Sequence, residues 1–307
     1  MSGQRTIERE RTRALAFLLS PITLLLGIFF LIPLGITIVY SFLEPGLYGG
    51  VVWSFYPYNY GRLFGWPLGA GEEFEPLYIQ ILLNSLKYAL LTVIVSLVLC
   101  YPVAFWVSRM AGMSKNLMLF AITLPFFANL LIRIYAWLLL MRPTGTINST
   151  LMALGVVDEP LNMMFTEFAV IVGLVYVLIP FMFLPIYASV ERLDWSLVQA
   201  SQDLGATPLQ TFRRIVLPLT APGILGGCVI VFIPALGNFI VPSFLGGSKV
   251  QLVGNVIERQ FLQARNWPFG STLSTVIMVS VMLVVLIYFL GTRSSSRKAV
   301  REGSDHG

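Results

Sequence analysis

The sequence has one histidine, two cysteines and few charges: Asp, Glu, Lys and Arg together make up 11% of its 307 residues. The one histidine, His306, sits in the polar C-terminal segment, so histidine-dependent catalysis within an apolar segment is excluded. Cys100 and Cys228 fall in apolar stretches. Two such thiols make neither a disulfide framework nor a metal cluster, and they read as small core residues. The long apolar runs contain no Asp or Glu. An ion-coupled secondary transporter or channel, the alternative reading, needs embedded carboxylates or a charged pore ring. An intramembrane enzyme needs paired Asp, a Ser/His pair or a metal cluster in those runs, and these too are missing. Gly246-Gly247-Ser248-Lys249 lacks the GxxxxGK[ST] spacing of a phosphate loop, so ATP hydrolysis must come from another chain. No metal, cofactor or catalytic residue is expected, and the chain does not read as an enzyme.

What is present is apolar: 56% of the residues are hydrophobic and the mean hydropathy is +0.80. Too little polar surface remains to face water on all sides, and uncharged runs of about 18 residues or more read as membrane spans. The gaps between charges predict an all-α integral membrane protein with six transmembrane helices, over 14–42, 88–107, 117–140, 168–190, 221–241 and 270–291. Residues 1–13 and 294–307 are polar segments flanking a single membrane domain, 14–293. The first apolar run is too long for a signal peptide and ends at no small-x-small site, so it reads as an uncleaved span.

Thirteen of the twenty Lys and Arg residues fall on the side that holds both termini and the 108–116 and 191–220 loops. Positive charge stays inside, so this side is expected to be cytoplasmic. The basic balance reflects that asymmetry, and no basic patch outside the loop flanks suggests a nucleic-acid partner. The outer side carries Glu44, Glu72, Glu73, Glu75, Asp158, Glu159, Glu167 and Glu258. These acids, with the tyrosines of the long 43–87 loop, either attract a cationic cargo or dock a soluble partner.

The 191–220 loop is the most informative segment. Asp194 or Ser196 can cap a short helix over 197–204. Gly205 then stops it, and Pro208 suits the first turn of a second helix. Leu197, Ala200 and Leu204 recur at helical spacing, which suits an amphipathic unit fitted to a partner's groove, although an ordinary solvated loop helix has the same spacing.

This segment resembles the cytoplasmic "EAA" loop of ABC importer permeases: E-A-A, three residues, Gly, nine residues, Ile, one residue, Leu-Pro. Here Gln199-Ala200-Ser201, Gly205, Ile215, Leu217 and Pro218 stand in that register, with Asp203 and Leu204 between them. Gln199 replaces the usual Glu, which removes any salt bridge made there, and Ser201 replaces the second Ala. Further segments extend the similarity over residues 14–293: Asn59-Tyr60, Leu124–Trp137, Arg142–Asn148, Phe232–Phe239, Leu245–Gly247 and Gln263–Gly270. They resemble the spermidine/putrescine type of permease, with a MetI-like fold. The resemblance implies a cytoplasmic coupling helix between the fourth and fifth spans, an ABC ATPase dimer, a second permease of similar fold, a substrate-binding protein outside the membrane, and polyamine or related cargo. Membrane lipid is the remaining partner.

Two groups of residues are candidates for a pathway or gate. Arg133, with Tyr135 and Trp137, lies in the third span. A membrane-centre arginine costs about 2.5–3.5 kcal/mol on insertion scales, so it either pairs with an outer acid or snorkels to the interface. Pro234, Gly237 and Asn238 interrupt the fifth span, and such breaks either line a pathway or kink the packing.

Overall fold

The computed structural model describes residues 2–66, 74–247 and 249–304, and their side chains over 18–66, 74–247 and 249–286. Glu72, Glu73 and Ser248 lie outside the described residues. Among the described residues six helical segments are long and apolar enough to cross a membrane: Leu18–Ser41, Leu77–Ser108, Leu130–Ala153, Glu167–Glu191, Pro208–Leu236 and Trp267–Leu286.

The chain divides into two compact units, Met1–Glu75 with Arg259–Val279, and Pro76–Glu258 with Ser280–Gly307. The first opens with α1, Ser2–Ser41, whose apolar stretch contains Pro21 and Pro33. Thr37 donates its hydroxyl to the Pro33 carbonyl at 2.9 Å, one way in which a membrane helix keeps its polar groups satisfied. An antiparallel hairpin follows, β1 Leu43–Pro45 and β2 Val51–Phe55, then the short helix α2, Tyr58–Leu63. The expected 43–87 loop is therefore structured in its first part. Asn59 explains why: it is buried, and its amide donates to the carbonyls of Ser41 at 3.2 Å and Leu43 at 2.9 Å.

The second unit begins with α3, Leu77–Ser108. It starts eleven residues before the expected boundary, which was set by the charge of Lys87. The helix runs through Lys87, whose ammonium pairs with Glu167 at 3.2 Å. Next come α4, Gly112–Thr123, a 3₁₀ turn over Leu124–Phe127, α5, Leu130–Met141, and α6, Thr146–Ala153. The expected span 117–140 is thus broken rather than continuous. Pro125 has no amide hydrogen to continue α4, and the Asn129 side chain caps a new helix by accepting from the Leu131 amide at 2.8 Å.

α7 occupies Glu167–Glu191 and is apolar on all faces. It is buried because α3 and α10 pack against it. Leu174, Leu178, Met182, Phe183 and Ile186 are at most 3% exposed. Two short helices follow, α8, Trp195–Asp203, and α9, Pro208–Thr211, and a π-helical turn over Phe212–Val216 leads into α10, Leu217–Leu236. α10 stops five residues before the expected end of the fifth span, at Gly237. A second π turn, Pro242–Gly246, precedes α11, Val253–Leu262, and α12 runs from Trp267 to Ser304.

Candidate functional site

The segment between α7 and α10 folds as a helix, a tight turn and a second helix. Asp194 is the N-cap: its carboxylate accepts from the Ser196 amide at 2.9 Å. Hydrogen bonds from the Ser196 side chain and backbone hold the Asp194 carboxyl below its usual range. At the other end the amide of Ala206 donates to Ser201 at 3.1 Å and that of Gly205 to Gln202 at 2.9 Å. This is the Schellman pattern, and it places Gly205 at φ +83°. No atom lies within 4 Å of a Cβ built on Gly205, so the demand for glycine is conformational rather than steric. Thr207 then caps α9 in a reciprocal box with Gln210, and Pro208 stands at its first turn.

The loop is anchored from below. Trp195 meets the Phe105 ring of α3 edge-on, with centroids 5.5 Å apart. The Arg109 guanidinium lies 5.2 Å from the Trp195 centroid, and Phe212 packs on Tyr101 at 5.7 Å. Ser201 and the buried Thr211 share a 2.6 Å hydroxyl contact that ties α8 to α9. Ser201 is thus the polar residue of α8 that makes this link. Between the loop and the end of α3 is an open cavity of about 690 Å³, lined by residues that include Phe105, Arg109, Trp195, Gln199 and Phe212.

Three leucines of this loop are uncovered. Leu197 is 46% exposed, Leu204 89% and Leu209 75%. Gln199, Ala200 and Asp203 are also exposed, Ile215 is half-buried, and Leu217 and Pro218 open α10 on the exposed side. Leu209, Trp195, Phe105 and Arg109 were not singled out from the sequence. The anchor aromatics carry no local signal, since they meet only after α3 and α8 have formed, whereas an apolar Leu209 next to Pro208 in a polar loop was a readable sign.

A charged contact lies beside this loop. Lys115 of α4 donates to Glu191 at the end of α7, and its ammonium lies 5.9 Å from the Tyr187 ring. The hydrogen bond to Glu191 raises the Lys115 pKa.

Of the two candidate pathway groups, one lies on α5, which packs on α7 and on the second π turn, and the other lies at the end of α10. Tyr135 of α5 meets Phe244 of the second π turn at 5.6 Å, while Trp137 meets Tyr176 of α7 at 5.5 Å. Arg133 is half-buried, its Nε has no hydrogen-bond partner, and it makes no ion pair among the described residues. Pro234 is exposed in the last turn of α10, Gly237 caps that helix, and the Asn238 side chain accepts from the Val241 amide at 2.9 Å. Sequence reasoning missed Asn255, which is 4% exposed. Its amide donates to the Phe239 carbonyl at 2.9 Å and to the Ser243 hydroxyl at 2.7 Å, pinning the segment that follows the break. A Cβ on the neighbouring Gly254 would come within 2.6 Å of the Gly237 carbonyl oxygen, so only glycine lets α11 approach the end of α10 this closely.

A family model described as "Binding-protein-dependent transport system inner membrane component" matches residues 103–298. The chain is 45% identical over 228 residues to the spermidine/putrescine transport system permease protein PotB of Escherichia coli, covering 74% of this chain and 83% of that one. It is 36% identical over 226 residues to the inner membrane ABC transporter permease protein YdcU of the same organism, covering 68% and 71%. The fold is similar to that of a chain in a bacterial ABC transporter that imports alginate, with a TM-score of 0.73 at 18% identity, covering 95% of this chain and 99% of that one. These relatives disfavour the ion-coupled alternative. The chain belongs to the inner membrane components of binding-protein-dependent transport systems, and it is the membrane-spanning permease subunit of an ABC importer.

Proposed function

We propose that this permease carries polyamines of the spermidine/putrescine class, and that the α8–α9 unit is where an ATPase subunit docks. The observation that supports docking most directly is the exposure of Leu197, Leu204 and Leu209 on a capped helix pair in the register of the permease coupling loop. The support for the cargo is the 45% identity to a spermidine/putrescine permease over 83% of its length.

In this reading the chain pairs with a second, similar permease, and a soluble binding protein delivers cargo on the outer side. Both termini and the 191–220 loop face the cytoplasm, where a dimer of ATPase subunits hydrolyses ATP. ATP binding closes the dimer and moves the paired coupling helices, and the spans rock so that the pathway opens toward the binding protein. Hydrolysis returns it inward. Arg133, Tyr135, Trp137, Pro234, Gly237 and Asn238 line or gate that pathway. α10 is interrupted after Leu236, as helices that line a transporter pathway often are. The membrane domain is 14–293, flanked by the polar segments 1–13 and 294–307.

The test is uptake of radiolabelled spermidine into proteoliposomes holding the permease pair and the ATPase, with binding protein outside. ATP-dependent uptake competed by putrescine but not by a neutral sugar supports the reading. Uptake of an unrelated solute, with none of spermidine, refutes the cargo.

A further inference from the structure

The cavity between the coupling loop and the end of α3 differs in character from the exposed leucines of the loop. It holds one charged side chain, Arg109, and no Asp or Glu lines it. Arg109 is the last-turn cap of α3 and makes no ion pair among the described residues. Its guanidinium is nevertheless positioned, because it lies 5.2 Å from the Trp195 centroid and 5.9 Å from that of Phe105. Aromatic faces hold the plane of an arginine without consuming its N–H donors, which leaves the fork free for a bidentate acceptor. Ser108, Gln199 and Gln202 add a hydroxyl and two amides to the same lining. The pocket is therefore a cationic, donor-bearing recess of about 690 Å³, reachable from outside because Arg109, Gln199 and Gln202 in its lining are exposed.

We infer that the ATPase subunit places an Asp or Glu side chain in this recess, paired with Arg109. This rests on the docking reading above and extends it: the exposed leucines supply contact area, and Arg109 supplies the charge that fixes orientation. The family's usual Glu stands at position 199, at the rim of the same recess, and here it is Gln. A carboxylate on the permease would compete with the partner's for Arg109, whereas Gln199 can donate to the incoming carboxylate. The polarity of the contact is thereby reversed: the permease contributes the cation and the ATPase the anion. Charge complementarity of this kind sets register and association rate more than contact area does.

The test measures binding of the ATPase subunit to the full chain in nanodiscs of neutral lipid, across a range of salt concentrations. Arg109→Gln is expected to weaken binding about tenfold and flatten its salt dependence, and Arg109→Lys to weaken it less. Arg109→Glu is expected to be rescued by a Lys at one ATPase carboxylate. Monodisperse elution and an unchanged thermal midpoint check that each variant folds, and the wild-type salt dependence is informative without any variant. Leu204→Asp serves as the separate probe of docking. If it abolishes binding while Arg109→Gln stays within twofold with the salt dependence intact, docking stands and the carboxylate contact is wrong. The measurement is repeated in nanodiscs of anionic lipid: if the Arg109→Gln defect appears there and not in neutral lipid, the anion is a headgroup and the inference is overturned. If Leu204→Asp binds normally, the docking reading fails and this inference with it.

Discussion

Gly205→Val is the most informative single substitution in the loop. Gly205 has φ +83°, a region that costs an L-residue about 1–2 kcal/mol and a β-branched one more. If the chain escapes by changing φ, it loses the two amide bonds that close α8, from Ala206 to Ser201 and from Gly205 to Gln202. Each is worth about 0.5–1.5 kcal/mol. Either route removes about 2 kcal/mol from the docking-competent conformation, roughly a thirtyfold fall in its population. The side chain itself meets nothing, since no atom lies within 4 Å of the built Cβ, and the buried packing of α3, α7 and α10 is untouched. The variant should therefore reach the membrane in normal amount, while ATP-dependent uptake falls and ATPase activity no longer responds to loaded binding protein. A series separates conformation from size. Asn is larger than Ala but tolerates the left-handed region, so activity should fall in the order Gly, Asn, Ala, Val. An order that follows side-chain volume, or full coupling by Gly205→Val, would refute the reasoning.

Further outcomes follow from the same geometry. The Asp194 carboxyl is held below its ordinary value of 3.8, so its capping contribution is fully present above that value and is lost only as pH falls through the lowered one. The difference in ATPase binding between wild type and Asp194→Ala should then be constant with pH near neutrality and shrink only in strong acid. Asn255→Leu strips the buried donors from the Phe239 carbonyl and the Ser243 hydroxyl, and should lower thermal stability by about 1–3 kcal/mol, read as a lower midpoint in detergent. Arg133→Gln should leave expression intact and reduce uptake, with Arg133→Lys partly active; normal uptake by Arg133→Gln would remove Arg133 from the pathway.

Much of the membrane architecture was legible because charge is scarce and lipid enforces helices. Six apolar runs gave six candidate spans, and the 191–220 loop carried its own local grammar in Asp194, Gly205 and Pro208. Boundaries were misread where a charge or a break had a tertiary explanation. Lys87 looked like a span end, but it pairs with Glu167 and α3 continues through it. The apolar letters around Pro125 looked continuous, but Pro125 and Asn129 divide them into two helices. The hairpin over 43–55 and the helix α2 after it do not show in the sequence because their organiser, Asn59, acts on carbonyls sixteen and eighteen residues away. Arg109, Trp195 and Asn255 were invisible for the same reason: their roles exist only once distant segments meet.

The central claim is that the α8–α9 face contacts the ATPase, and cysteine cross-linking in the assembled complex tests it most directly. With Cys100 and Cys228 replaced by serine, Leu204→Cys and Leu209→Cys should each cross-link to the ATPase subunit, with a yield that changes on adding ATP. Leu161→Cys, in the segment between α6 and α7, should give none. Absence of cross-links at both loop positions in an active complex, or equal yield at position 161, would contradict the account.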